Sequence, residues 1–440
     1  MQYLITGQQP LSGIVAISGA KNAALKLIVA ALMFKGKSII SNVPRIKDIE
    51  SLLEIINFLG GRAEFISQNE VRIENHLHRY DLPLEIAAKT RVSILLMAPL
   101  LFQFGQAIVP NPGGCRLGER AVDRLVDCLI KMGAKITYHP EDGFYHCSLK
   151  QGKETKINFI KKSHTGTELA IMFASKINGT TIINNAAQEP EIDDLIKFLN
   201  SAGANLKREG EKIIIKGNKS LKGTKIVVQP DRIEAATFIV LAALFKGKIK
   251  IKNAPIANLK PFFEPFLKAG FIYHYDQKTA LLSVTVPTKI KATDIVTAPH
   301  PGFLTDWQPL WTVLMTQANG ITSVHETVFE NRLSYVEDLR RFGAKIKFYQ
   351  PKVINADTFY QFNNYQEHKH RRQAIYITGP TVLHNGLAKM TDIRAGACLV
   401  LAALLAKGSS VISGVEQIER GYEDLVGKLE QLGAKIKVQT

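Results

Sequence analysis

Residues 111–123 read Asn-Pro-Gly-Gly-Cys-Arg-Leu-Gly-Glu-Arg-Ala-Val-Asp and set one thiol, Cys115, among Gly113, Gly114 and Gly118, with Arg116 and Arg120 close by. Glycines lower the cost of unusual backbone angles, and loops of this kind carry function. Cationic neighbours depress a thiol's pKa and make it nucleophilic. Most cysteines are buried and inert, but a Pro-Gly-Gly turn is a poor place to bury anything. The stretch reads as a reactive thiol on a mobile loop.

A second set of chemically capable residues stands where strands run into strongly apolar segments: Lys21, Arg91, Thr165-Gly166, Arg232, Asp306 and Arg394. The start of a helix offers unpaired N–H groups and a positive dipole end, which suit an anion and oppose a basic side chain. Charge at the mouth of a buried helix is costly unless it faces a cleft. For any one junction, pairing with a carboxylate such as Asp231 or Asp392 explains the charge. Recurrence at equivalent points favours an anion-binding cleft shared by two domains.

These junctions belong to a repeat. An apolar, helix-like run ending in glycine occurs at 23–36, 91–105, 166–179, 234–247, 306–320 and 395–408. Each is followed, 23 to 28 residues on, by a second glycine in a Gly-Ala-Lys-Ile-like turn: Gly60, Gly133, Gly203, Gly270, Gly343 and Gly433. A fixed period marks a repeated supersecondary unit. The unit reads strand, helix, strand, helix, strand; its first helix is apolar on nearly all sides and belongs in a core, and its second is amphipathic and ends at a glycine C′. The fold class is α/β with helices inside and strands outside, six units in all. Residues 21–229 form an N-terminal domain of three units carrying the Cys115 loop. Residues 1–20 with 230–440 form a C-terminal domain of three, with a polar surface loop or hairpin inserted near 351–372.

A length of 440 residues favours two domains. The four cysteines show no CxxC and no metal-ligand spacing, so no metal or disulfide framework is expected. No secretory leader is legible at the start of the sequence, and the longest apolar runs are too short to span a bilayer, so the expected compartment is the cytoplasm. A net charge of +17 suggests nucleic-acid binding, yet the lysines are scattered and the one dense cluster, 368–372, lacks interleaved aromatics. Neither nucleic acid nor membrane is an expected partner, and nothing in the sequence speaks to oligomeric state.

Five stretches in order resemble one known family: Gly19-Ala-Lys-Asn-Ala-Ala24, the Pro-Gly-Gly-Cys-x-x-Gly-x-Arg loop ending at Arg120, Pro301-Gly-Phe-x-Thr-Asp306, Phe329-Glu-Asn-Arg332 and Arg420-Gly-Tyr-Glu423. Together they are similar to the UDP-N-acetylglucosamine 1-carboxyvinyltransferases, enolpyruvyl transferases of peptidoglycan synthesis, from Leu4 to Val438. The resemblance implies a two-domain inside-out α/β barrel. It implies transfer of the enolpyruvyl group of phosphoenolpyruvate to the 3′-hydroxyl of UDP-N-acetylglucosamine with release of phosphate, and no cofactor. Such chemistry needs an acid, a base and cations.

Carried over by position, Cys115 resembles the proton donor, which also forms a covalent adduct with phosphoenolpyruvate and is the thiol that fosfomycin alkylates. Lys21, Arg120 and Arg420 resemble the residues that hold phosphoenolpyruvate, with Arg394 a further cation. Asp306 resembles the base for the sugar hydroxyl. Asn22 and Arg91 resemble residues lining the substrate site. Arg120, Ala121, Val122, Asp123 and Arg124, with Ser163, His164, Thr165 and Gly166, resemble the uridine and diphosphate contacts, and Val328 a backbone contact to the sugar nucleotide. Three departures stand out: Ser163-His-Thr-Gly166 replaces the usual Ser-Val-Gly-Ala, Ala121 replaces proline, and Trp307 is bulkier than the family pattern. The runners-up are 3-phosphoshikimate 1-carboxyvinyltransferase, which lacks the cysteine loop as a catalytic element, and a non-catalytic basic polyanion-binding paralogue.

Overall fold

A helix that is apolar on every side is stable only where other elements surround it. In the computed structural model, which describes residues 1–112, 122–362 and 365–439, the helical runs meet that condition. Helix Lys21–Ala31 is buried everywhere but at Asn22. Helix Arg232–Leu244 is buried through Ala243 and Gln308–Met315 throughout. His164–Ala174 is buried from Gly166 onward, and Ile393–Leu405 from Arg394 to Leu404. The second run begins as a 3₁₀ helix, Arg91–Leu96, that continues into Met97–Phe104.

These helices fall into two units, residues 19–112 with 122–229 and residues 1–18 with 230–439, each holding three of them and three sheets. Five sheets share one plan. In the sheet centred on Thr180–Asn184, the parallel strand Lys156–Asn158 lies on one side, and on the other the antiparallel Lys212–Lys216 is followed by Asn205–Glu209. The sixth has three strands, Gln106–Pro110, Phe144–Ser148 and Lys135–His139, and an isolated parallel bridge between Asp81 and Ile108 stands where the fourth would be. In the second unit, strand Gln2–Thr6 pairs with both Ser409–Ser413 and Lys435–Gln439, so the two ends of the chain share one sheet.

Each of the six recurring second glycines follows an amphipathic helix with φ between 90° and 105°. An L side chain resists that conformation, so glycine is what lets the helix stop and the chain turn into its strand. At Gly60 a Cβ would also run into the His78 ring.

Segment 351–372 departs from the expected surface loop or hairpin. It holds two short helices, Ala356–Phe359 and Tyr365–His368. Tyr360 between them is fully buried, its hydroxyl 3.0 Å from His325 Nε2 and its ring 4.9 Å from that of Tyr365. Aromatic rings scattered through a polar stretch, invisible as periodicity, anchor it. Among the described residues no helix is long and apolar enough to cross a membrane.

Candidate active site

In the first unit, Lys21 is the first residue of its buried helix and is itself only 8% exposed. No side chain caps that helix; Lys21 Nζ instead lies 2.7 Å from Asp48 Oδ2, in the first turn of helix Lys47–Phe58. A buried ammonium beside a buried carboxylate is held in place because either alone would be costly. Asn22, next in the helix, is half-buried.

Two of the expected nucleotide-contact segments meet directly. Arg124, one residue into helix Asp123–Lys131, donates from Nη1 to the Lys162 carbonyl at 3.3 Å, just before Ser163. Burial lowers the Arg124 pKa and Asp123 opposes that shift. Val122, at the helix start, is buried. Arg91 and Asp123 both act on the buried Tyr145, whose pKa burial raises, with Asp123 adding to the rise and Arg91 opposing it. Ser163 caps helix His164–Ala174: its Oγ accepts from the Gly166 N–H at 3.1 Å. A Cβ at position 166 would sit 2.7 Å from that oxygen, so the close approach needs glycine. Thr165 lies half-buried between them.

His164, one of the departures, has a structural partner. Its Nε2 lies 3.0 Å from Oε1 of Glu168, which is completely buried, and Lys26 Nζ lies 3.4 Å from the other Glu168 oxygen. Burial alone would lower the imidazole pKa, but Glu168 and Glu189 outweigh it and the net shift is upward.

In the second unit, Arg232 and Arg394 each follow an aspartate that does the capping. Asp231 accepts from the N–H groups of Ile233 and Glu234 at 2.6 and 3.2 Å, and Asp392 from those of Arg394 and Ala395 at 2.8 and 3.0 Å. The basic side chains are therefore relieved of capping and reach elsewhere. Arg394 Nε lies 3.5 Å from Asp306 Oδ1, and its guanidinium lies over the Tyr422 ring at 5.0 Å. Burial works against the Arg394 cation, yet Tyr422, Asp306 and Asp231 raise its pKa overall. Arg232 Nη1 is 3.2 Å from His300 Nδ1. Arg420, ending the 3₁₀ helix Val415–Arg420, donates to Gln417 Oε1 at 3.3 Å. Val328 donates its N–H to Glu326 Oε1 at 2.8 Å.

Over residues 5–429 the sequence matches the EPSP synthase (3-phosphoshikimate 1-carboxyvinyltransferase) family. The chain belongs to this family of carboxyvinyltransferases. It is 37% identical over 435 residues to the UDP-N-acetylglucosamine 1-carboxyvinyltransferase of Bdellovibrio bacteriovorus and 38% over 437 to that of Desulfosudis oleivorans, with 99% of both chains covered in each case. Among solved structures, the enolpyruvyl transferase NikO from Streptomyces tendae superposes with a TM-score of 0.86 at 23% identity, over 99% of this chain and 98% of that one. EPSP synthase from Acinetobacter baumannii does so with a TM-score of 0.74 at 18% identity, over the whole of both chains. The transferase thus has the inside-out, two-domain α/β fold of these enzymes.

Of the residues the sequence singles out in this transferase, Cys115, Arg120 and Ala121 lie outside the described residues. Those remaining divide between the units: Lys21, Asn22, Arg91, Val122 to Arg124 and Ser163 to Gly166 on the first, Asp306, Val328, Arg394 and Arg420 on the second. Trp307 is fully buried, its ring edge-on to Phe262 and Phe303 at 5.6 Å each, so the departure at that position fills core. Sequence reasoning passed over Arg332. This residue is 1% exposed and donates to Asp306 Oδ1 at 3.1 Å, to Asp392 Oδ1 at 3.2 Å and to the Thr305 carbonyl at 3.3 Å. Its motif, Phe329-Glu-Asn-Arg332, carried the resemblance, and that motif was the signal available.

Proposed function

We propose that the chain transfers the enolpyruvyl group of phosphoenolpyruvate to the 3′-hydroxyl of UDP-N-acetylglucosamine, releasing phosphate. The observation that carries this over the shikimate reading is the 37–38% identity to sugar-nucleotide transferases across 99% of both chains; likeness to EPSP synthase structures at 18% identity speaks for the fold alone.

In this reading the sugar hydroxyl gives its proton to Asp306 as its oxygen attacks C2 of phosphoenolpyruvate, and C3 takes a proton from the Cys115 thiol. The tetrahedral adduct then loses phosphate by C–O cleavage and a proton from C3, restoring the double bond in the product. The Asp306 side chain is 33% exposed while Arg332 and Arg394 beside it are 1% and 5% exposed, which supports a base whose position is fixed from behind by buried cations. Arg394, Arg420, Lys21 and Arg120 are the proposed cations for carboxylate and phosphate. Ser163 to Gly166, with Asp123 and Arg124, is the proposed nucleotide contact, supported by the hydrogen bond joining the segments. The Val328 N–H is committed to Glu326, so a contact there goes through its carbonyl.

The test is phosphate release from phosphoenolpyruvate with and without UDP-N-acetylglucosamine. Release that requires both substrates supports the proposal. Release that requires shikimate 3-phosphate instead, or none from folded protein, overturns it.

A further inference from the structure

The three-stranded sheet of the first unit ends in a hairpin whose tip brings together residues that the sequence keeps apart. Strands Lys135–His139 and Phe144–Ser148 pair antiparallel, with His139 opposite Phe144 and Thr137 opposite His146. Side chains alternate faces along a strand, so this register puts His139 and His146 diagonally on one face. Their rings lie 4.2 Å apart, while Tyr138 and Tyr145, directly opposite one another, pair on the other face at 4.9 Å.

The turn adds carboxylates to the imidazoles. Asp142 is oriented by its Oδ1, which accepts from the Phe144 N–H at 2.8 Å, and its Oδ2 lies 3.1 Å from His146 Nε2. Glu141 Oε1 lies 2.9 Å from His139 Nδ1. Ligand atoms of His139, Asp142 and His146 all lie within 4.8 Å of one another, the one such group of histidine, cysteine and acidic residues among the described residues. Ligands about 2.0–2.2 Å from a shared ion sit somewhat closer than that, so small side-chain rotations complete the set.

We propose that this hairpin tip binds a divalent transition-metal ion through His139, Asp142 and His146. Two imidazoles and one carboxylate form a borderline donor set suited to nickel, zinc or copper, whereas magnesium and calcium take oxygen ligands. Glu141, from beside the His139 ring, supplies the type of carboxylate contact that orients a ligating imidazole. The histidines are half-buried and Asp142 is exposed, so the ion enters from solvent and water fills its remaining positions. Bridging the strands across the turn, the ion cross-links the hairpin. The site owes nothing to cysteine spacing, and none of its residues belongs to the proposed transferase machinery.

The experiment is equilibrium dialysis of the untagged full chain against nickel chloride. Wild type, the double variant His139→Gln/His146→Gln and the exposed-histidine control His274→Gln are compared, with folding checked by circular dichroism. The expected result is saturable uptake by wild type and the control, at least tenfold weaker in the double variant, undiminished by excess magnesium. Phosphate release by the metal-free double variant should equal that of metal-free wild type. Equal nickel affinity in wild type and double variant, or no uptake by wild type, overturns the proposal.

Discussion

Arg332 Nη2 lies 3.1 Å from Asp306 Oδ1, and the arginine is almost wholly buried while a third of the aspartate side chain is exposed. Its other terminal nitrogen reaches Asp392 at 3.2 Å, the residue that caps the helix carrying Arg394. One guanidinium thus links the loop of the proposed base to the helix of a proposed substrate cation.

Replacing Arg332 with lysine keeps the charge but not the planar fork that spans two carboxylates. The expected outcome of Arg332→Lys is a folded protein whose kcat falls by about 100-fold, the scale of a small misplacement of a reacting group, with KM for the sugar nucleotide changed far less. Steady-state phosphate release reads both constants. An unchanged kcat would remove Arg332 from the positioning of Asp306.

Cys128, Cys147 and Cys398 are buried, and burial pushes the first two thiols up to about 12. Protonated, inaccessible thiols do not alkylate. Fosfomycin should therefore modify Cys115 alone, and Cys115→Ser should lower phosphate release by about 100-fold or more, as loss of a general acid does. Peptide mass mapping after incubation locates the adduct; label on another cysteine, or none, would refute the assignment.

Lys21 and Asp48 form an ion pair with side chains 10% and 7% exposed. Removing one partner strands a buried charge, at a cost of roughly 3–5 kcal/mol. Urea denaturation of Lys21→Ala should show a loss of that size, and adding Asp48→Asn should recover part of it. Activity lost in Lys21→Ala and still absent in the stabilised double variant then reports on chemistry and not on folding. If Lys21→Ala is as stable as wild type, the pair has no structural weight.

His164 carries a pH signature. Burial opposes its charge, but Glu168 and Glu189 raise its folded pKa above the ordinary 6.5. Below that value the imidazolium is present in folded and unfolded chains alike, and its pairing contributes in full. As pH climbs through the raised folded value the contribution disappears. The stability advantage of wild type over His164→Gln, from urea unfolding, should be full below the ordinary 6.5 and shrink as pH rises through the raised folded value. An advantage that grows with pH would falsify the pairing.

The sequence by itself determined the core and the inventory of chemistry. Runs apolar on nearly all sides, such as Ala23 to Ala31, have one physical solution, burial inside a shell of other elements. Glycines at Gly60 and its five counterparts marked where helices end, because positive φ is a local requirement. Motif order pointed to the family because the five motifs that hold Lys21, Cys115, Asp306, Arg332 and Arg420 occur in register along the chain. Only the tertiary structure decided which charges neutralise which. Asp48 lies 27 residues from Lys21 in sequence, and Asp392 lies 60 from Arg332, so neither pair has a local signature. The same holds for Tyr360 against His325, which turned an expected surface loop into an anchored segment, and for His139 against His146, whose meeting depends on hairpin register. Local conformation is set by steric and hydrophobic pattern within a few residues, whereas ion pairs and ligand sets are set by which distant segments the fold brings within a few ångströms.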